Sequence, residues 1–235
     1  MQLISSANSI RLRNYVFPIG SVDKKDDKNS NVYGTASYLG GKYFITAGHV
    51  LKNASSKKII GIGFMGDDEC KYFNISKYEI LEDIDVGIIE LNLEQIPAAK
   101  LIWDSDLSLM LSDVHTFGFP HGQSIKDDGE VYNSLRALKG HVVSIDKNYT
   151  YELSFFCPKG LSGAPLLNKK GNITGMIIGN TGVEMNVCQE IEKDKKEIYS
   201  KDIVYFLGKA ICACKILDIK PKLLNMTIGE FIKKY

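Results

Sequence analysis

A histidine, an aspartate and a glycine-flanked serine occur in that order along the chain, each beside a short apolar run. The first lies in Tyr43-Phe-Ile-Thr-Ala-Gly-His49-Val50, which follows Gly34-Thr-Ala-Ser-Tyr-Leu39. The second opens Asp85-Val-Gly-Ile-Ile-Glu-Leu91, and the third sits in Gly160-Leu-Ser162-Gly-Ala-Pro165. A serine hydroxyl is a weak nucleophile until a neighbouring base takes its proton. An imidazole can be that base, and a carboxylate on its far nitrogen fixes the tautomer and steadies the imidazolium that forms. Attack on a carbonyl also needs donors aimed at the developing oxyanion. Gly160 permits a tight bend that would turn its own N–H and that of Ser162 towards one point. Together these residue types spell nucleophilic acyl transfer, chemistry that requires no metal and no cofactor.

Chain order narrows the scaffold. An α/β-hydrolase places its histidine after the serine. The four histidines here are His49, His115, His121 and His141, and none follows Ser162. Residue 164 is alanine where the hydrolase elbow has glycine, so a non-peptidase acyl hydrolase is a poor third reading. The subtilisin order puts the acid before the histidine on an α/β scaffold. His, Asp, Ser is the order left, and it belongs to a double-barrel scaffold with histidine and acid on the first barrel and serine on the second. Asp83 competes with Asp85 for the acid, since strand parity would point both to one side. Asp85 is preferred for the apolar run that follows it. His115, His121 and His141 read as structural or exposed.

The elements that must hold these residues are short. Residues 32–39, 43–46, 58–65, 71–81, 86–91, 114–119, 140–145, 149–156, 165–168, 173–178 and 203–207 are rich in β-branched and aromatic side chains and read as strands. Gly, Asn, Asp and Lys clusters such as Gly40-Gly41 and Lys169-Lys170-Gly171-Asn172 separate them. Many short strands without long helices between them favour a sandwich or barrel. Residues 23–30 and 189–202 are charge-dense and read as solvated loops. Residues 209–219 carry helical apolar spacing, and Thr227-Ile-Gly-Glu230 fits a capping box that opens a short terminal helix. A soft boundary across residues 97–112 divides the chain into halves, 1–105 with His49 and Asp85 and 106–235 with Ser162.

Composition excludes several classes. The formal net charge is +1, so no global field draws the protein to nucleic acid or an anionic membrane. No segment approaches the roughly 20 apolar residues of a membrane helix, and residues 1–12 do not read as a secretory signal. The five cysteines are odd in number and irregularly spaced. They are expected to be reduced, mostly buried thiols in a cytoplasmic protein, the alternative being delivery out of the cell by a route without a cleaved signal. Cys212-Ala-Cys214 lacks the second ligand pair of a zinc site. Cys157, five residues before Ser162, reads as a buried inert thiol.

These motifs resemble the trypsin-like peptidases, and the bacterial high-temperature-requirement branch (without its PDZ module) more than digestive trypsin. Thr46-Ala-Gly-His49 is similar to that family's Thr-Ala-Ala-His corner, and the strand from Asp85 to its Asp-Ile-Ala-Leu-Ile. Gly118-Phe-Pro-His-Gly122 resembles its Gly-Tyr-Pro-x-Gly turn, and Gly140-His-Val-Val-Ser144 its Gly-x-Val-x-Ser strand. Gly160-Leu-Ser-Gly-Ala-Pro165 resembles Gly-Asp/Asn-Ser-Gly-Gly-Pro, and Gly171-Asn-Ile-Thr-Gly-Met-Ile-Ile178 the strand after it. The likeness spans residues 32–210. It implies an all-β fold of two six-stranded antiparallel barrels with a C-terminal helix. It further implies a serine endopeptidase with His49, Asp85 and Ser162 as triad and the backbone N–H groups of Gly160 and Ser162 as oxyanion hole.

The departures matter too. Residue 161 is leucine where trypsins have the aspartate that pairs with a freshly cut N-terminus, so that activation switch is not expected. By the same resemblance Phe156 sits at the base of the primary substrate pocket, and Ile178, Gly179 and Asn180 line one wall. With no acid at that base, a small or medium uncharged substrate side chain is expected. Residues 181–202 form an insertion bordering the pocket, placed to gate it or to select partners. The expected partner is a protein or peptide substrate, with a regulatory protein as a further candidate. The alternative function is a partner-binding module on the same fold with an idle triad.

Overall fold

The computed structural model describes residues 12–235 apart from 24–25, 56–59, 66–69, 109, 121–123, 128–129, 134 and 190–198. Strands β1 (Val16–Asp23), β2 (Asp26–Gly40), β3 (Tyr43–Ala47), β4 (Ile60–Met65), β5 (Cys70–Leu81) and β6 (Val86–Leu91) close a first antiparallel barrel in the order β1-β2-β3-β6-β5-β4. A second barrel is built from β7 (Asp113–Gly118), β10 (Arg136–Ile145), β11 (Thr150–Leu153), β12 (Pro165–Asn168), β13 (Ile173–Gln189) and β14 (Tyr199–Cys212), in the order β10-β11-β14-β13-β12-β7. The hairpin of β8 (Ser124–Asp127) and β9 (Glu130–Asn133) stands apart as a two-stranded sheet. Closure leaves no edge strand in either barrel.

Apolar side chains explain why each barrel holds. Phe17, Ile19, Leu39, Phe44, Ile45, Ile62, Ile88 and Ile89 belong to one buried apolar cluster of the first barrel, in which the neighbours Phe44 and Ile45, and Ile88 and Ile89, point to opposite faces of the barrel wall. Phe17 meets Phe44 edge to face, with centroids 5.3 Å apart. Val114, Val142, Tyr151, Leu153, Leu166, Ile177 and Ala210 fill the second. A third cluster of Val16, Val32, Phe117, Phe119, Leu167 and Ile173 draws on both barrels and glues them together. Burial of such side chains stabilises by about 1.5–3 kcal/mol each, so the relative placement of the barrels rests on an apolar core rather than on surface ion pairs.

The chain then returns to the first barrel. Helix α3 (Ile228–Lys234) buries Ile228 and Phe231 in the first core, and Phe231 packs edge to face on Tyr43 at 5.3 Å. Its expected capping box is present: Glu230 N donates to Thr227 Oγ1 at 3.1 Å, and Thr227 N to Glu230 Oε2 at 2.8 Å.

Four expectations are corrected. Residues 26–30 are not loop but the first part of β2, because the β1–β2 ladder continues past the barrel to Asp23↔Asp26. Residues 209–212 complete β14, and the helical turn α2 (Ala213–Leu217) begins only after them. Pairing with β13, from Gly175↔Cys212 to Gln189↔Tyr199, overrides the local helical spacing there. The same ladder makes residues 181–189 and 199–202 a long hairpin arm in place of a loop, while 190–198 lie outside the described residues. Cys212 and Cys214 are joined as a disulfide rather than reduced: the turn from β14 into α2 brings their Cα atoms to 5.4 Å.

Candidate active site

The Thr-Ala-Gly-His corner is the junction of β3 with helix α1 (Gly48–Ser55), so His49 stands in the first turn of that helix. Asp85 follows a 3-10 turn (Glu82–Ile84) and precedes β6, with a left-handed backbone, φ 53° and ψ 44°. Aspartate tolerates that conformation better than most residues. Asp83, the other acid weighed, lies within that turn, exposed to solvent, where strand parity does not apply.

Asp85 grips the corner at three points. Its Oδ2 lies 2.7 Å from His49 Nδ1, its Oδ1 accepts from His49 N at 2.7 Å, and its carbonyl accepts from Gly48 N at 2.9 Å. A carboxylate on the amides that open a helix is well placed electrostatically. Gly48 permits the approach, since a Cβ there would lie 3.2 Å from Asp85 Oδ1 and 3.1 Å from the Ile80 side chain. With Nδ1 engaged, the imidazole presents Nε2 as its remaining nitrogen.

Ser162 comes from the second barrel, in the loop between β11 and β12. Leu161 N donates to Pro158 O at 3.1 Å and Ala164 N to Leu161 O at 2.9 Å, two consecutive tight turns. Gly160 carries φ 95°, as the third residue of a type II turn requires. The loop is then pinned by main-chain bonds. Gly163 N donates to Ile177 O at 2.8 Å, and Thr35 N, on β2, donates to Ser162 O at 2.9 Å. Gly163 has φ 88°, and a Cβ on it would run into Thr35 O and Thr46 Oγ1 and come within 3.0 Å of Ala47 N. That contact sets the serine loop directly on the strand that leads to His49.

Thr35 is the residue that motif reading passes over. It is fully buried, and each of its polar atoms is engaged. Oγ1 donates to Gly160 O at 2.8 Å and accepts from Phe119 N at 3.0 Å, while O accepts from Thr46 Oγ1 at 2.7 Å. One threonine of the first barrel thus holds both ends of the Gly160–Ser162 turn. The sequence signal is a hydroxyl between the small residues Gly34 and Ala36, in a strand that also carries Ser37.

The amides of Gly160 and Ser162 donate to no acceptor among the described residues, nor does Ser162 Oγ hydrogen-bond to the imidazole. Ile178, Gly179 and Asn180 continue β13 past the loop, with a bulge between Ile177 and Gly179. Phe156 does not lie buried beneath the serine. It is 51% exposed and packs against Phe206 at 6.1 Å. Its neighbour Cys157 takes the inward position, and burial pushes its thiol up to about 12, only partly opposed by the Lys209 amide. That thiol is buried, as expected. His141 pairs with Ser154, His115 lies half-buried on β7, and His121 lies outside the described residues. No metal-binding group of three or more ligands occurs among the described residues, and no described helix is long and apolar enough to cross a membrane.

The family model of the trypsin-like peptidase domain matches residues 34–176. No curated protein sequence matches the chain. Among solved structures, the active form of the Rv3671c protease from M. tuberculosis superposes with TM-score 0.59 at 16% identity, covering 88% of this chain and 79% of that one. The MamO protease domain from Magnetospirillum magneticum, in its apo form, gives TM-score 0.59 at 14% identity, with 87% and 94% covered. An inactive-form serine-to-alanine mutant of Rv3671c gives TM-score 0.55 at 16% identity, with 89% and 86% covered. At these identities the structural likenesses speak to the fold.

Proposed function

Because this chain belongs to the trypsin-like peptidase family, we propose that it is a serine endopeptidase acting through an acyl-enzyme on Ser162. Ser162 Oγ attacks the substrate carbonyl, and His49 Nε2 takes its proton. Asp85 holds Nδ1–H and stabilises the imidazolium. The N–H groups of Gly160 and Ser162 receive the oxyanion, each such donor lowering the barrier by about 3–4 kcal/mol. The imidazolium then protonates the departing amine and the C–N bond breaks. Water next attacks the acyl-serine as His49 takes its proton, the acyl C–Oγ bond breaks, and His49 returns the proton to Ser162 Oγ as the new carboxyl end leaves. A regulatory or effector role with few protein targets fits the long hairpin arm beside the serine.

The observation that carries this reading is the double hold of Asp85 on His49, through Nδ1 and through the main chain. A carboxylate that merely capped the helix would have no reason to orient the ring. A fluorophosphonate should label wild type at Ser162 and leave Ser162→Ala unlabelled. Peptide hydrolysis should fall by about 10⁶-fold in that variant. A second reading, a partner-binding module with an idle site, draws on the missing Ser162–imidazole hydrogen bond. In resting proteases such bonds are often long and tighten only with substrate. A folded wild type that resists the fluorophosphonate, alone and in the presence of a bound protein partner, would establish the second reading.

A further inference from the structure

Two segments flank Ser162. One is the stretch through Phe155, Phe156 and Cys157 that enters the Pro158–Leu161 turn. The other is β13, which exchanges bonds with the serine loop (Gly163 N to Ile177 O at 2.8 Å, Ile177 N to Ala164 O at 2.9 Å) and runs on to Asn180. If Ser162 is acylated as proposed above, the family resemblance implies that the substrate residue on the acyl side of the cut bond puts its side chain between these walls.

That space is bridged. Asn180 Oδ1 accepts from Cys157 N at 2.7 Å, and Asn180 Nδ2 donates to Cys157 O at 2.8 Å. One carboxamide thus satisfies both main-chain groups of one residue, and the donor–acceptor pattern allows only this orientation of the amide. The walls are thereby tied to each other through a single asparagine side chain that lies across the space between them. The Cys157 thiol is buried against Gly208, where a Cβ would come within 2.7 Å of Sγ, and Gly208 N donates to Phe155 O at 2.7 Å. Phe156, the expected floor, is turned out to Phe206. Swinging Asn180 aside would strand the N–H and C=O of a buried residue, a costly step inside a protein.

We infer that Asn180 is the specificity-determining residue of this site: its carboxamide closes the primary pocket, so the enzyme cleaves after glycine, alanine or serine and rejects larger side chains. The size limit is set by a side chain on β13 that spans the pocket, not by the residue at the expected base. This inference rests on acylation at Ser162, and the test separates the two.

Fluorogenic peptides identical except for Gly, Ala, Ser, Leu, Phe or Lys before the scissile bond would be compared on full-length wild type, Asn180→Gly and Asn180→Ala. Active sites would be counted by fluorophosphonate labelling and folding checked by the melting transition. Wild type should favour Ala over Leu and Phe by at least 100-fold in kcat/KM. Each variant that melts cooperatively should shrink that ratio at least tenfold. A labelled wild type that cleaves best after Leu, Phe or Lys overturns the inference and leaves the serine mechanism standing, as does an unchanged ratio in a folded variant. Should both variants fail to fold, the wild-type preference decides alone. A folded wild type that neither labels nor cleaves any peptide defeats the serine mechanism, and the inference with it.

Discussion

In the first barrel the two groups of the proposed charge relay are tied directly to each other. Asp85 reaches both the ring and the main chain of His49, and its own carbonyl takes Gly48 N. In the second barrel no hydrogen bond holds the side chain of Ser162 among the described residues. Its loop is placed entirely through backbone atoms: Ser162 O on Thr35 N, Gly163 N on Ile177 O, Gly160 O on Thr35 Oγ1. The contrast has a chemical cause. A base and its orienting acid work while bonded together, whereas a nucleophile and its oxyanion donors must keep hydroxyl and N–H groups available to the substrate. A loop of that kind can be positioned only by its carbonyls and by close contact. On the proposed mechanism, the second barrel contributes reactivity and the first contributes most of the positioning.

If the division is correct, breaking the first-barrel bond should damage turnover far more than folding. Asp85→Asn keeps the shape but replaces an acceptor by an amide that can stabilise the wrong tautomer. Steady-state kinetics should show kcat lower by about 10⁴-fold, with KM changed little and the melting temperature lowered by a few degrees at most. A loss under tenfold would mean that the grip on His49 is structural, and the contrast between the barrels would collapse.

The second barrel should respond in the opposite sense, losing fold before chemistry. Gly163→Ala asks an L-residue to adopt φ 88° with its Cβ against Thr35 O, Thr46 Oγ1 and Ala47 N, all in or beside β-ladders that cannot yield cheaply. Left-handed strain and overpacking each cost about 1–3 kcal/mol. Denaturant unfolding should show a loss of about 3 kcal/mol or more. Wild-type stability in this variant would show that the two barrels are not in the contact described.

Much of this arrangement is legible in the sequence, and the illegible part has a common cause. His49, Asp85, Ser162 and Gly160 can be read because their chemistry restricts residue type and the turns around them need glycine. Barrel strands can be read because β-branched and aromatic runs leave little alternative. The failures are all tertiary. The helical spacing of residues 209–212 gives way to pairing along β13, and the charged stretch at 26–30 is carried into a ladder by its neighbours. Asn180 could be placed on the pocket wall, but not its bonds to a residue 23 positions away. The resemblance puts Phe156 at the pocket base, but position along the chain cannot tell which of two consecutive side chains turns inward. Here Cys157 takes that place, the smaller group facing Gly208.

Thr35 is where the two barrels meet in one side chain, and it gives the smallest and most discriminating effect. Thr35→Val retains the shape but removes the hydroxyl, leaving Gly160 O and Phe119 N without the partner they share. Each unsatisfied buried group costs about 1–3 kcal/mol. Because Gly160 O belongs to the residue whose N–H is the proposed oxyanion donor, part of that cost should appear as misplacement of the donor rather than as instability. We expect kcat to fall by about 10- to 100-fold, less than the roughly 10²- to 10³-fold loss when one oxyanion donor is removed outright, while KM for a short peptide moves less than threefold. Thr35→Ser restores the hydroxyl without the methyl and should recover most of kcat though not all of the stability. A purely structural threonine would behave otherwise. Valine would then lower the melting temperature and leave kcat per labelled active site untouched, and serine would rescue nothing because nothing catalytic had been lost.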